Sequence, residues 1–184
     1  MNHIGTVEIT TDRLKLRRFT VDDVDSFYEC YVSDPKVHTY VNYVQGKTRE
    51  AAEEFIRGIV AQYDKDPAFY AWALTQDGNV FGYVGLCNID EKSDSAELRF
   101  TFGSKWWGHG FSTESTGAVR DLAFKRIGFH RLYSDLHIDN VSSGSVLLKL
   151  GMEPEGVLRG AYKNEDGTYS DMKQFGMVAE DLDL

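Results

Sequence analysis

The stretch covering residues 96–127 constrains the fold of this chain more than any other part of its sequence. Residues 96–102 alternate between apolar and polar side chains, which predicts a strand, and apolar residues recur at helical spacing over 112–127. The loop between them contains Gly108 and Gly110. A strand that runs through such a loop into a helix is typical of sheets covered by helices, so an α/β architecture is expected.

The rest of the chain alternates between the same two periodicities without a repeat or a linker. Further strands are predicted at 8–18, 69–75, 80–89, 130–138, 155–159 and 173–179, with an Asp-Gly turn joining the second and third of these. Further helices are predicted at 21–33, after Thr48 and at 142–150, the last ended by Gly151. The order β-α-α-β-β-β-α-β-α-β-β fits one mixed sheet with helices on both faces.

Composition narrows the class of protein and its partners. The chain has 184 residues, of which 42% are hydrophobic, enough for one domain (1–184) with a substantial core. Its formal net charge is -9. Proteins that grip phosphates of nucleic acids usually carry a basic surface, so we expect no nucleic-acid partner. The acidic excess fits a cationic substrate, although it also simply keeps proteins soluble.

Several features favour a cytoplasmic protein without a metal. No stretch approaches the roughly 18 uninterrupted apolar residues of a membrane span, and no basic flank precedes an apolar run at the N-terminus. Cys30 and Cys87 lie far apart and outside any CxxC, which predicts two free thiols. Metal-ligand spacing is lacking among His38, His109, His130 and His137.

The glycine-bearing loop predicts an anion-binding site made of backbone. The first turn of a helix leaves about four N–H groups without intrahelical partners, and the helix dipole adds positive potential there. Gly108 and Gly110 lack a Cβ, so a phosphate could approach closely. The loop lacks the Gly-Lys-Ser/Thr of a Walker loop and the third glycine of a dinucleotide site. The alternative interpretation of such a Gly-x-Gly sequence is a tight turn.

The same loop carries a resemblance to a known family. Residues 105–110, Lys-Trp-Trp-Gly-His-Gly, resemble the Gln/Arg-x-x-Gly-x-Gly/Ala loop of GNAT N-acetyltransferases, and 107–114 are similar to W-G-x-G-Y-A-T-E of their ribosomal-protein alanine acetyltransferase branch. The resemblance implies a GNAT fold, with a mixed, mostly antiparallel sheet of about seven strands and about four helices. It also implies acetyl-CoA as acyl donor, with its diphosphate bound at Lys105, Gly108, Gly110, Phe111 and Ser112, and with His109 and Thr113 also at the cofactor.

Three further matches extend the resemblance over nearly the whole chain. Residues 11–17 are similar to the T-x-R-L-x-L-R of the branch, 140–143 with 149–152 to its N-x-x-S…K-x-G-F, and 167–171 to its G-x-x-x-D hairpin. By the same resemblance, Phe102 and Gly103 would contact the pantetheine as a short pseudo-strand. Asn140 and Ser143 would contact the same arm, and Asn140 also suits a helix cap.

The resemblance places the catalytic groups at Glu97 and Ser143. An alkyl amine with a pKa near 10.4 is protonated at neutral pH, so the reaction needs a proton acceptor. Glu97, in the strand before the loop, would take the amine proton through water; the alternative is a carboxylate that only solubilises the strand. Many GNAT enzymes use a tyrosine as the general acid at the position where this chain has Leu147. By the same resemblance, a serine three residues after the asparagine serves as the acid in the ribosomal-protein branch, and Ser143 occupies that place. The alternatives are a serine that only makes a local hydrogen bond, or a thiolate stable enough to leave without an acid.

The predicted function is transfer of an acetyl group to a primary amine, either a protein N-terminal α-amine or a small molecule. Tyr40, Tyr43 and Tyr162 would line the acceptor site, although packing explains them equally well. No metal takes part, and the resemblance favours a homodimer. Because Leu147 replaces the usual tyrosine, an alternative function stays open, namely an acyl-CoA-binding sensor or partner protein without transferase activity. Turnover of any amine with acetyl-CoA separates the two.

Overall fold

The structure is a computed structural model that describes residues 1–41, 44 and 46–182. Its strands are β1 (Ile9–Thr10), β2 (Lys15–Arg17), β3 (Tyr70–Gln76), β4 (Asn79–Asp90), β5 (Ser95–Phe102), β6 (Arg131–His137), β7 (Glu153–Lys163) and β8 (Tyr169–Val178). They form one eight-stranded sheet in the order β1-β2-β3-β4-β5-β6-β8-β7. Neighbouring strands are antiparallel, except that β5 and β6 are parallel. This mixed, mostly antiparallel sheet confirms the predicted fold class.

The α-helices are α1 (Val24–Phe27), α2 (Arg49–Val60), α3 (Phe111–Leu122) and α4 (Val141–Lys149). α1 is the middle of a helical segment, 21–32, and α3 continues into a π turn. The predicted cap of α2 is confirmed, because Thr48 Oγ1 accepts the Ala51 N–H at 3.2 Å. Within the described residues, no helix has both the length and the apolar character needed to cross a membrane.

The strand boundaries depart from prediction at both ends of the chain. The predicted first strand is two strands, because Thr11 turns the chain by donating its N–H to the Leu14 carbonyl at 2.9 Å. The closing hairpin is longer than predicted. Nearly every residue of β7 is exposed, so its sequence carries little of the alternation by which strands are recognised. The predicted Asp-Gly turn is confirmed, with φ of 51° at Asp77 and 83° at Gly78.

Apolar residues form a cluster on each face of the sheet. The larger cluster lies beneath α3 and α4 and includes the fully buried Trp72, Leu98 and Leu132. The smaller one packs α1 and α2 against β3 and β4. Among the described residues, it contains no member from β5, β6 or β8. On that face the helices therefore leave the second half of the sheet uncovered, and polar side chains can occupy it.

The two parallel strands separate partway along their length. Ladder pairs join β5 and β6 only from Ser95↔Arg131 to Glu97↔Tyr133. β5 then continues beside β4 as far as Phe102, while β6 continues beside β8 as far as His137. An opening lies between the two diverging ends. It exposes backbone and side chains at the centre of the sheet, where the candidate site is found.

Candidate active site

A groove of about 590 Å³, the long groove, lies between residues 100–102 of β5, the loop before α3 and the first turns of α4. Most residues predicted to bind the cofactor line it, namely Phe102, Gly108, Gly110, Ser112, Thr113, Asn140 and Ser143. Two lysines also belong to its walls, Lys36 and Lys149. The groove thus combines glycines, hydroxyl groups and cations, a composition that suits a ligand bearing phosphates.

The loop before α3 leaves backbone N–H groups available at the groove. Gly108 and Gly110 have φ of 78° and 79°, a left-handed conformation that side-chain-bearing residues rarely adopt. Gly110 is the N-cap and has no side chain, and the first helical bond of α3 runs from the Glu114 N–H to the Gly110 carbonyl at 3.1 Å. The preceding N–H groups, at 111–113, therefore have no intrahelical partner. This arrangement has the backbone geometry that an anion-binding helix N-terminus requires.

An ion pair ties this loop to the turn between β1 and β2. Arg13 contacts the Glu114 carboxylate through Nε at 2.7 Å and through Nη2 at 2.6 Å. Its Nη1 donates to the His109 carbonyl at 2.8 Å. Thr11 donates to Glu114 at 2.6 Å, and the Arg13 guanidinium lies 4.7 Å from the centre of the Phe111 ring. Although burial acts to raise it, these hydrogen bonds hold the pKa of Glu114 below its ordinary value. The resulting Arg13–Glu114 clamp fixes the loop in place.

A second cavity, the carboxylate pocket, has a volume of about 240 Å³ and lies on the uncovered face between β5, β6 and the β7–β8 hairpin. Its walls include Glu97, Arg99, Asp135 and His137. Glu97 pairs with Tyr133 across the sheet, so Arg99, Asp135 and His137 share its face by alternation. The pocket therefore collects the polar side chains that the helices leave uncovered.

Glu97 is held by several donors at the floor of this pocket. It is 5% exposed and accepts both Nε and a terminal nitrogen of Arg99 at 2.8 Å, one on each oxygen. Asn88 donates to Oε2 at 2.7 Å. Burial raises the pKa of the neighbouring Cys87 thiol to about 12, and the Glu97 charge adds to the rise. Cys87 is thus a neutral thiol beside an ion pair, and not a nucleophile at neutral pH.

Asp135 is the second carboxylate of the pocket and has a different environment. Gln174 of β8 donates to its Oδ1 at 3.0 Å. Burial raises the pKa of the Asp135 carboxyl above its ordinary value, and the negative charge of Glu97 raises it further. The two carboxylates therefore differ in character, since Glu97 is ion-paired and Asp135 has an amide as partner.

Aromatic rings form the outer wall of the carboxylate pocket. The His137 ring lies 5.1 Å from that of Tyr40 and 6.2 Å from that of Tyr162, measured between ring centres. His137 Nδ1 accepts the Asp139 N–H at 3.2 Å, which in a neutral ring leaves the proton on Nε2. Tyr40 and Tyr162, two of the three tyrosines predicted to line an acceptor site, thus line this pocket. The third predicted tyrosine, Tyr43, lies outside the described residues.

The long groove and the carboxylate pocket meet at the opening between β5 and β6. Both are bounded by Tyr40, Phe100, Asn140 and Ser143. Asn140 accepts the Ser143 N–H at 3.2 Å, so it caps α4, as predicted. Leu147 is fully buried beneath this junction. A ligand in the groove and a ligand in the pocket would therefore touch beside the Ser143 side chain.

Four residues that were predicted to bind the cofactor lie outside the walls of both cavities. The Lys105 ammonium lies 5.2 Å from the centre of the Trp106 ring, and the His109 carbonyl is engaged by Arg13. Gly103 is buried, and a Cβ there would clash with the Cys30 carbonyl oxygen, so packing explains this glycine. The Phe111 ring is in the core, which leaves only its backbone N–H to face a ligand.

The structure adds residues that the sequence interpretation missed. Arg99 and Asn88 hold Glu97, Asp135 and His137 line the carboxylate pocket, and Lys36 lines the long groove. The alternation of β6 places Asp135 and His137 on the face of Glu97, which is a usable signal once the strand register is known. No comparable local signal marks Lys36, because it lies in a short 3-10 helix (Pro35–Thr39) that only the tertiary structure brings to the groove.

Comparison with known proteins agrees with this geometry. The sequence profile of the acetyltransferase (GNAT) domain matches residues 13–153. YoaA of Bacillus subtilis (strain 168), an uncharacterized N-acetyltransferase, is 28% identical over 92% of this chain and 96% of its own. The alanine N-acetyltransferase of ribosomal protein uS5 from Escherichia coli (strain K12) is 25% identical over 92% and 90%.

Solved structures share the fold. A ribosomal L7/L12 α-N-protein acetyltransferase in complex with coenzyme A superposes with a TM-score of 0.83 at 17% identity, covering 94% of this chain and 98% of that one. The family profile spans the Arg13–Glu114 clamp, the glycine loop and the junction of the two cavities. This chain therefore belongs to the GNAT family of N-acetyltransferases, enzymes that transfer an acetyl group to an amine.

Proposed function

We propose that the chain binds acetyl-CoA in the long groove and a primary amine in the carboxylate pocket, and joins the two substrates where the cavities meet. The observation that carries the proposal is this junction at Phe100, Asn140 and Ser143. An acyl donor and an acceptor must approach within contact distance for direct attack, and two cavities that share a wall allow it.

The long groove fits the chemistry of coenzyme A. The N–H groups at 111–113 and the glycines 108 and 110 suit the diphosphate, and Lys36 and Lys149 suit phosphate oxygens as cations. Coenzyme A is also the ligand of the superposed L7/L12 acetyltransferase. When bound, the donor supplies an acetyl group activated as a thioester. The lysines compensate locally for a chain whose net charge is -9.

The pocket side chains handle the proton of the amine. Keeping an alkyl amine neutral at pH 7 costs roughly 4–5 kcal/mol, from about 3.4 pKa units. We propose that Glu97 accepts this proton through water, supported by its position at the floor of the pocket. Ser143 is proposed to donate a proton to the departing thiolate, supported by its place at the junction. Arg99 keeps the Glu97 side chain in one orientation.

The name of the Escherichia coli relative points to an N-terminal alanine as one class of acceptor. An α-amine with a pKa near 8 needs less help to lose its proton than an alkyl amine. The pocket is open and bounded by tyrosines, which suits the end of a peptide as well as a small amine. We therefore propose a peptide N-terminus as acceptor, with small primary amines as the second candidate.

The test is release of coenzyme A thiol from acetyl-CoA, followed with a thiol-reactive dye. The amines are N-terminal peptides, polyamines, aminoglycosides and amino acids. Release with one class, together with an acetylated product seen by mass spectrometry, is the expected result. Binding of acetyl-CoA without release on any amine would instead favour an acyl-CoA sensor.

The clamp leads to a prediction about cofactor affinity. Arg13→Ala removes the ion pair to Glu114 and the bond to the His109 carbonyl, so the loop loses its fixed conformation. We expect the Kd for acetyl-CoA to rise about tenfold, the equivalent of 1.4 kcal/mol. Isothermal titration calorimetry measures the change.

Arg18→Ala is the matched control for this variant. Arg18 also pairs with a carboxylate, bonds a backbone carbonyl and covers an aromatic ring, but it does so at Asp64, Thr6 and Tyr63, away from the groove. Its Kd for acetyl-CoA is expected to match that of the wild type. Equal affinities of the Arg13 and Arg18 variants would show that the clamp does not position the loop.

A further inference from the structure

The balance of charge in the carboxylate pocket distinguishes Asp135 from Glu97, the other carboxylate in its walls, and from the nearby Glu155. Glu97 is paired with Arg99 on β5. Glu155, on β7, is paired with Arg131. Among the described residues, the neutral Gln174 amide is the hydrogen-bond donor to the Asp135 carboxylate. Each ion pair neutralises its own carboxylate. Among the described residues that line the pocket, Asp135 is therefore the carboxylate without a cation in direct contact, although the Arg99 charge also acts on it.

The position of Asp135 makes this charge available to a ligand. It lies on β6 beyond Tyr133, where β5 no longer pairs with β6, and it lines the carboxylate pocket. Gln174 occupies one carboxylate oxygen, Oδ1, and the other is left for a donor from the pocket. His137 also faces this space. Its Nδ1 already accepts a backbone N–H, so a neutral His137 ring can donate a hydrogen bond from Nε2 but offers a ligand no acceptor atom. The second Asp135 oxygen has no cationic donor in contact with it among the described residues, because Arg99 is engaged with Glu97.

We propose that Asp135 anchors the ammonium group of the acceptor and selects amines that carry no neighbouring carboxylate. The proposal rests on the proposed function, because it assigns the carboxylate pocket to the acceptor. A half-buried carboxylate with a free oxygen attracts a cation strongly, since little water screens the pair. The same charge repels an anionic group held next to the amine. Tyr40 and Tyr162 line the same pocket, and an aromatic ring attracts a cation that lies over its face.

The substrate class follows from these two effects. A free amino acid brings its carboxylate within one carbon of the amine and therefore meets Asp135 and Glu97 at once. A peptide N-terminus or an alkyl amine presents a net positive charge to the same place. The pocket is thus expected to discriminate by charge, and specificity is the difference between the two affinities. Asp135 is a specificity-determining residue, and Glu97 keeps its proposed role as the acceptor of the amine proton.

Alaninamide and alanine are the matched probes, because they differ mainly in the carboxylate. Each is titrated calorimetrically into wild-type protein saturated with coenzyme A, so that binding is read without turnover. The wild type is expected to bind alaninamide at least about tenfold more tightly than alanine, on the scale of one charge-assisted contact. In Asp135→Asn, which keeps an oxygen for Gln174, the ratio should fall about tenfold. Asp22→Asn removes an equal charge at an exposed position and should leave the ratio unchanged.

Each outcome decides the proposal. A ratio near one in the wild type overturns it without any variant, as does a ratio that Asp135→Asn leaves unchanged. A purely structural role of Asp135 would weaken both probes equally and is excluded by a change in their ratio. Failure of the proposed function has another signature. In that case alaninamide binds selectively, yet no thiol is released from acetyl-CoA.

Discussion

Replacing Glu97 with glutamine is expected to lower kcat by roughly 10²–10⁴-fold, the usual contribution of a general base. Glutamine keeps the shape of the side chain but cannot take a proton from the amine. The acetyl-CoA affinity should stay close to that of the wild type, because Glu97 lines the carboxylate pocket and not the long groove. Steady-state thiol release gives kcat, and calorimetry gives the affinity.

The substitution also leaves the Arg99 guanidinium without its anionic partner, so unfolding must be followed in parallel. Glu53→Gln is the matched control, because Glu53 likewise accepts from arginines, Arg49 and Arg57, but lies on α2 away from both cavities. Its kcat is expected to equal that of the wild type. A folded Glu97→Gln enzyme with a kcat within about threefold of wild type would contradict the role of Glu97.

Replacing Gly110 with valine is expected to raise the Kd for acetyl-CoA roughly 5- to 150-fold, because a strained backbone residue costs about 1–3 kcal/mol. Gly110 has φ of 79°, which a β-branched residue strongly disfavours. A Cβ at this position also comes within 3.3 Å of an Arg13 nitrogen. The loop must shift, and the N–H groups of the first turn of α3 shift with it.

Gly167→Val tests whether strain alone explains such an effect. Gly167 has φ of 85°, in the turn between β7 and β8, and no atom lies within 4 Å of its would-be Cβ. Both variants should lose stability, but only Gly110→Val should lose acetyl-CoA affinity. A Gly110→Val protein that is folded and binds acetyl-CoA like the wild type would contradict a phosphate site made of backbone N–H groups.

The fold could be predicted wherever a pattern is local. The hairpin around Asp77 and Gly78 and the Thr48 cap depend on residues within a few positions of each other, and the structure confirms both. β7 escaped full prediction because almost all of its residues are exposed, so burial imposes no alternation on them. The first strand was predicted as one because the turn at Thr11 involves a polar residue that fits either conformation.

The site could be predicted only in part, for a related reason. The glycine loop and the α4 cap are contiguous motifs, so the residues that line the long groove are mostly those expected. The carboxylate pocket is assembled from β5, β6, β7 and β8, and its members become neighbours only through the register of those strands. The sequence interpretation missed Asp135 and Arg99 because it did not include this register. Lys105 was predicted at the diphosphate, yet its ammonium lies over the Trp106 ring.

The Arg13–Glu114 clamp connects two sequence motifs whose contact could not be predicted from either motif alone. The sequences around Arg13 and Glu114 were each recognised as similar to the family, but the two residues are 101 positions apart. Their contact joins the two motifs, because Thr11 and Arg13 of the first motif bond Glu114 and the His109 carbonyl of the second. Sequence similarity identified each part, and only the structure shows that they act together.

Calorimetric titration of the wild-type chain with acetyl-CoA is the most direct test of the central claim that the long groove is an acyl-donor site. The groove predicts saturable binding at one site per chain, weakened by Gly110→Val and unaffected by Gly167→Val. A wild-type chain that is folded and binds no acetyl-CoA would contradict the assignment of the groove, and with it the proposed reaction.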